Sequence, residues 1–326
     1  MAHKAPGKSD REGISLKKLM RMFPDDATAR EWIEGVVWPD GPFCPRCGSY
    51  NVQAGIKHKS MTHRCRDCDG KPRFSVKTGT VMQSSKLGYH TWAIAAYLVT
   101  TNLKGVSSMK LHRDLEITQK SAWHLAHRLR KAYEAGHSVF AGPVEADETY
   151  IGGKRKNMPK AKRAKLTGRG SVGKTAVVGT KDRATNRVSA RSTAETDTPA
   201  LSSFVADRTE PGAKVFTDES RAYSGLDAHY DHESVNHSAG EYVRGMAHTN
   251  GIESFWSLLK RGYQGTYHHM SPKHLDRYVT EFSGRHNDRE RDTIDQMSHI
   301  AQGMVGKRLR YSDLIADNGL PSGARS

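Results

Sequence analysis

Val144-Glu145-Ala146-Asp147-Glu148-Thr149-Tyr150-Ile151-Gly152-Gly153-Lys154 is the stretch whose reading decides the fold. A period of two places Glu145 and Asp147 on one face of a strand, and Gly152-Gly153 ends that strand in a hairpin signal. Further short strands are expected at 144–150, 175–180, 187–192 and 214–217, mixed with helices, which makes this half of the chain α/β. The strand Ala213-Lys214-Val215-Phe216-Thr217-Asp218 also ends in an acid. Next comes His248-Thr249-Asn250-Gly251-Ile252-Glu253-Ser254-Phe255-Trp256-Ser257-Leu258-Leu259-Lys260, where Ile252, Phe255, Trp256 and Leu259 form the apolar stripe of a helix. Glu253 and Lys260 are seven residues apart, about 20° from each other around the helix. The pattern predicts a carboxylate and an ammonium together at the edge of the stripe, with Asn250 near the helix start as a cap.

Acids stand out because the chain is basic. Its 326 residues carry 51 Lys and Arg against 35 Asp and Glu, a net charge of +16. Such a surface suits a polyanionic partner. A membrane span is excluded, because the best apolar run, Trp92–Val99, has eight residues and a span needs about 20. Met1–Gly13 has no apolar core of a secretory signal. Nine Lys and Arg and no acid fall within Lys154–Lys174. Uncompensated cations repel one another, so Lys154, Arg155, Lys156, Lys160, Lys162 and Arg163 are expected on a DNA backbone.

The four cysteines form two Cys-x-x-Cys turns, Cys44-Pro-Arg-Cys47 and Cys65-Arg-Asp-Cys68, 17 residues apart. Two matched turns bring four thiolates to one tetrahedral Zn²⁺ and leave no open position for catalysis. His58 and His63 lie between the pairs as substitutes for a sulfur or as surface residues. The zinc ribbon is placed at 41–85, after a helical arm at 1–40. Residues 86–135 read as helical, with candidates at 87–103, 107–114 and 119–133. The last two resemble a helix-turn-helix, with Thr118 as N-cap and Ala122, Leu125, Ala126, Leu129 and Tyr133 on the apolar face. Lys120, Ser121, His124 and Arg128 lie off that face and are expected to meet DNA. The catalytic domain is placed at 140–295, and 296–326 reads as a polar C-terminal tail.

The order Asp147, Asp218, Glu253, with 34 residues between the last two, resembles the Asp-Asp-Glu (DDE) transposases and retroviral-type integrases. The words Glu145–Lys154, Thr217–Tyr223 and Asn250–Gly262, with Gly265–His269 and Arg285-His286-Asn287, resemble the bacterial insertion-sequence transposases with an N-terminal zinc ribbon. That resemblance implies a multidomain α/β protein: a zinc ribbon and helix-turn-helix followed by an RNase H-like mixed-sheet catalytic domain. It further implies a DNA transposase that binds terminal inverted repeats and performs metal-dependent 3′-end cleavage and strand transfer. Asp147, Asp218 and Glu253 become ligands of Mg²⁺ (or Mn²⁺), with Asn250 as the alternative third ligand. Lys260 becomes the basic residue that contacts DNA. Carboxylates suit this role because two metals can activate the attacking hydroxyl and stabilise the leaving oxygen of a phosphodiester. Double-stranded DNA is the implied partner, with at least a dimer to pair two ends, in the bacterial cytoplasm at the nucleoid. The rival readings are a catalytically inactive DNA-binding regulator and a structure-specific nuclease.

Overall fold

The computed structural model describes residues 11–134, 136, 138–164, 166–167, 170–235 and 248–322. The chain divides into two units: Met1–Ala135 with Asp288–Ala316, and Gly136–Asn287 with Asp317–Ser326. No helix among the described residues is long and apolar enough to cross a membrane.

In the first unit, Pro24 separates α1 (Leu16–Met22) from α2 (Asp26–Val37). Each helix starts on a side-chain oxygen that accepts an otherwise unpaired N–H: Ser15 Oγ from Lys18 and Asp25 Oδ1 from Thr28. The ribbon follows as three short antiparallel strands, β1 (Val52–Ala54), β2 (His63–Cys65) and β3 (Arg73–Phe74), in the order β1-β2-β3. The central helix is α3 (Tyr89–Thr101), buried nearly all round through Trp92, Ala93, Ala95, Ala96 and Val99. Then come α4 (Ser108–Asp114), capped by Ser107, and α5 (Gln119–Ala132), capped by Thr118 as the sequence predicts.

The segment read as a polar tail is structured. α10 (Thr293–Gly303) packs against α2, α3 and α5, and α11 (Tyr311–Ile315) follows. Met297, Ile300 and Met304 enter the same apolar core as Leu125 and Leu129. Gly303 permits the approach, because a Cβ there would meet the Ala132 carbonyl oxygen at 2.4 Å. Val81 N and Gly306 N donate to Met304 O and Gly79 O, which stitches the returning chain to the turn after the ribbon. The sequence hides this because three apolar residues spread over eight positions among polar ones mark a core only once their partners are known.

The second unit is built on a five-stranded sheet. Its strands are β4 (Val144–Ile151), β5 (Thr175–Asp182), β6 (Val188–Thr193), β7 (Lys214–Asp218) and β8 (Asp231–Val235). The order is β6-β5-β4-β7-β8. β4, β5 and β6 pair antiparallel, whereas β7 runs parallel to β4 and β8 parallel to β7. The switch to parallel pairing comes at the crossover through α7 (Thr198–Ala206). Alternation along β4 sorts the two faces. Ala146 joins the core under α7 with Val178, Phe204 and Val215. On the other face, Ile151 and Val177 meet α8 (Asn250–Gly262) and α9 (Pro272–Asn287) through Ile252, Phe255, Trp256, Leu259 and Phe282. The short α6 (Lys160–Ala164) lies in the long connection from β4 to β5. Arg285-His286-Asn287 proves to be an anchor of α9: Asn287 bonds both the N–H and the carbonyl of Val188, His286 Nε2 reaches Asn186 O, and Arg285 pairs with buried Glu281.

Candidate active site and zinc centre

The four cysteine sulfurs lie within 4.8 Å of one another. Cys44 and Cys68 Sγ are 3.5 Å apart, and Cys47 and Cys65 Sγ 3.6 Å. Tetrahedral thiolates on zinc at about 2.3 Å stand about 3.8 Å apart, so the donors fit that ion. Gly48, at φ +75°, turns the first knuckle and lets its N–H reach Cys44 O at 2.9 Å. Burial opposes the Cys44 thiolate, but the N–H groups of Cys47 and Arg46 outweigh it and lower this thiol to about 7. Hydrogen bonding with Cys47 and Cys44 pushes Cys68 up to about 12. Neither histidine replaces a sulfur: His63 stacks on Phe74 against Trp38, and His58 Nδ1 accepts the N–H groups of Ser60 and Met61.

In the second unit, the parallel pairing of β4 with β7 sets Glu145 opposite Phe216, and the same register two residues on brings Asp147 beside Asp218. Asp147 is half-buried. Burial first, then the charges of Glu148 and Asp218, push its carboxyl up to about 8. Its Oδ2 accepts Trp256 Nε1 at 3.0 Å and its Oδ1 the Glu148 N–H at 2.8 Å. Asp218 Oδ1 accepts Ser220 N at 3.0 Å. Two neighbouring, half-buried carboxylates suit a divalent cation, which has a strong preference for oxygen ligands.

Glu253 sits one turn before Trp256 on α8, and both Glu253 and Lys260 are exposed rather than held beside the core. The carboxylate Oε1 accepts the Thr249 hydroxyl at 2.9 Å. Among the described residues, Asp147, Asp218 and Glu253 do not close to within 4.8 Å of one another as the cysteines do. Like charges repel, and each acid takes its hydrogen bond from its own neighbourhood. Asn250 is not the cap: Thr249 occupies that position, and Asn250 is the first helical residue, exposed like Glu253.

Several residues at this site lie outside the sequence reading. Trp256 is core, as its stripe predicts, yet its indole N–H also holds Asp147. Gly179 makes room for that ring, since a Cβ would meet Trp256 Cη2 at 2.6 Å. Glu145 is 2 % exposed, and its Oε2 accepts the Ile252 N–H at 2.7 Å, an unpaired donor of the first turn of α8. Its Oε1 accepts Arg183 Nε at 2.8 Å, and Arg183 also reaches His248 Nδ1. Gly251 is required there, because a Cβ would meet Glu145 Oε2 at 2.7 Å. On the opposite face of β4, Tyr223 OH donates to Glu148 Oε2 at 2.9 Å. Burial, with Asp218 adding to it, raises the Glu148 carboxyl. The sequence places Glu145 and Trp256 on their faces but does not signal these contacts, because the partners are distant in the chain.

The basic connection after β4 presents Lys154, Lys156, Lys160 and Arg163 to solvent. Arg155 instead folds back to the Leu166 carbonyl, which fixes the loop. The Lys162 side chain lies outside the described residues. Lys154, Lys156 and Asn157 line a cleft of about 530 Å³ with Tyr263, Gln264 and His268. In the first unit, the expected DNA-reading face of α5 is largely covered by the returning chain. Arg128 is buried and donates to Leu309 O and Gln83 O. His124 Nε2 bonds Leu309 O, and burial lowers this imidazole. Lys120 lies over the Tyr311 ring but stays exposed, and Ser121, half-buried, bonds Thr118.

Residues 139–287 match the ISXO2-like transposase domain, and residues 24–71 match the transposase zinc-ribbon domain. A protein of Halobacterium salinarum described as an uncharacterized protein in transposable element ISH50 is 29% identical over 279 residues, 82% of this chain and 92% of that one.

Proposed function

The chain belongs to the insertion-sequence transposases with an N-terminal zinc ribbon, and from that premise we propose that it binds the terminal inverted repeats of its element and catalyses metal-dependent 3′-end cleavage and strand transfer. The observation that carries this reading is the half-buried pair Asp147 and Asp218 on adjacent parallel strands, with α8, the helix that bears Glu253, tied to Asp147 through Trp256. The strand order, three antiparallel strands followed by two parallel ones, supports an RNase H-like catalytic domain. The hairpin of α4 and α5 supports a helix-turn-helix, with Lys120 and Ser121 as its accessible contacts.

Asp147, Asp218 and Glu253 would hold Mg²⁺ or Mn²⁺. When bound, such ions supply activation of an attacking oxygen and neutralise charge on the leaving one. Trp256 orients Asp147 through its indole N–H. Lys260, two turns along α8 from Glu253, contacts a phosphate next to the cleaved bond. Lys154, Lys156, Lys160 and Arg163 hold the DNA backbone without reading its sequence. In the first step water attacks the phosphorus and a 3′-hydroxyl leaves. In the second, that hydroxyl attacks a target phosphodiester: a new O–P bond joins the element end to the target, the target's own 3′-O–P bond breaks, and the 3′-oxygen that leaves takes up the proton the attacking hydroxyl gives up. Joining two ends calls for at least two copies of the chain on DNA.

The test uses full-length protein, a labelled DNA end bearing the repeat, a pre-cut version of that end, and Mg²⁺. Wild-type protein nicks the first and joins the second. Asp147→Asn, Asp218→Asn and Glu253→Gln each abolish both reactions and retain repeat binding, whereas Asn250→Ala keeps activity. Cutting without joining identifies a nuclease. Repeat binding with neither reaction identifies a regulator. A Glu253→Gln protein as active as wild type beside an inert Asn250→Ala protein moves the third ligand to Asn250.

A further inference from the structure

β4 carries three acids in four positions, and the two that flank Asp147 reach in opposite directions. Glu145 faces α8, where its carboxylate receives the Ile252 N–H at 2.7 Å. That bond joins the strand to the first turn of the helix that carries Glu253. The contact is tailored: Gly251 leaves the space that the carboxylate needs, and Arg183 holds its other oxygen at 2.8 Å. Glu148 points to the other side of the sheet, where it receives the Tyr223 hydroxyl at 2.9 Å. Tyr223 is 1 % exposed and closes the turn that begins at Asp218. The turn is held from both ends, because Asp218 itself accepts Ser220 N.

We propose that Glu145 and Glu148 are positioning residues of the three-acid site: Glu145 seats α8 and with it Glu253, while Glu148 and Tyr223 seat the Asp218 turn against β4. One strand thereby sets all three carboxylates, one by carrying it and two by tying down the elements that do. The inference rests on the proposed three-acid site. It differs from a reading of Glu148 as a fourth ligand, because the Glu148 carboxylate is engaged on the α7 side of the sheet. Groups that orient metal ligands shift affinity by roughly 10–100-fold when they are lost.

The test is Mn²⁺ titration into the full, zinc-loaded chain by calorimetry, alongside kcat and KM for cleavage of the repeat-bearing DNA. Glu148→Ala and Tyr223→Phe each weaken Mn²⁺ binding by about tenfold or more. Both lower kcat with little change in KM, and combined they lose no more than either alone. Glu148→Gln recovers most of that loss, since its amide oxygen still accepts the Tyr223 hydroxyl. Glu145→Ala behaves like Glu148→Ala, and Glu145→Gln recovers in part, since its amide oxygen still accepts Ile252 N–H. Should Glu145→Ala not fold, Glu145→Gln and Tyr223→Phe, which remove only a charge or a hydroxyl, carry the test. Wild-type Mn²⁺ affinity in the alanine and phenylalanine variants overturns the proposal. So does a Glu148→Gln protein as defective in Mn²⁺ binding as Asp147→Asn, which makes Glu148 a ligand. If Asp147→Asn and Asp218→Asn themselves bind Mn²⁺ and cleave like wild type, the three-acid site fails instead.

Discussion

Asp147→Asn should destroy cleavage and, in protein without divalent cations beyond the ribbon zinc, stabilise the fold. Burial and the charges of Glu148 and Asp218 raise this carboxyl from 3.8 to about 8. Below pH 3.8 both folded and unfolded chains hold the proton, and the site costs nothing. Between 3.8 and 8 the unfolded chain releases a proton that the folded chain keeps, so stability falls as pH rises and levels off above 8. At about 1.4 kcal/mol per pH unit, the upper bound is about 4 kcal/mol at pH 7 and about 1 kcal/mol at pH 4.5. Asparagine carries no charge and keeps an acceptor for Trp256 Nε1. At a few degrees per kcal/mol, the second unit should melt up to about 10 °C higher in the variant at pH 7. Calorimetry in divalent-depleted buffer made without chelator, so that zinc stays in the ribbon, reads the difference. Mg²⁺ should raise the melting temperature of wild type and leave the variant unchanged, because metal and proton compete for the same carboxylate. An Asp147→Asn protein that melts no higher than wild type at pH 7, or whose advantage is the same at pH 4.5 and pH 7, refutes the reasoning.

Three further outcomes are expected. Freshly purified chain should hold one zinc, and Cys65→Ser should lose it and unfold the ribbon; elemental analysis with limited proteolysis of residues 41–74 checks this, and a variant with full zinc content contradicts it. Replacing Lys154, Lys156, Lys160 and Arg163 together should weaken binding to every DNA sequence and reduce the log–log salt slope by about 0.9 per lost phosphate contact; an unchanged slope in a binding titration removes the loop from the interface. Arg128→Ala should destabilise the first unit by about 1–3 kcal/mol, because it leaves the Leu309 and Gln83 carbonyls short of a donor; a denaturant titration measures it, and undiminished stability with lost repeat preference would return Arg128 to the DNA-reading face.

Local signals made much of this molecule legible. The spacing of the two Cys-x-x-Cys turns identifies the ribbon because chelation by adjacent turns is a property of short chain segments. Thr118 marks a helix start because an N-cap bonds within three residues of itself, and Ser15, Asp25 and Ser107 cap their helices in the structure by the same local bond. The period of two in 144–151 and the stripe from Ile252 to Leu259 place β4 and α8 and set Glu145 and Asp147 on one face, since both follow from backbone geometry alone. Tertiary structure decided what those elements meet. Leu309 and Tyr311 cover the basic side of α5, and no pattern in 119–132 announces a partner about 180 residues away. Gly179 and Gly251 look like breakers of a strand and a helix until Trp256 and the Glu145 carboxylate occupy the space where a Cβ would be. Glu145, Asp147 and Glu148 are chemically similar in sequence. Their roles separate only when the pleat turns two of them to α8 and the third to Tyr223, because a carboxylate acts through the donors it faces, and those donors are brought by other parts of the chain.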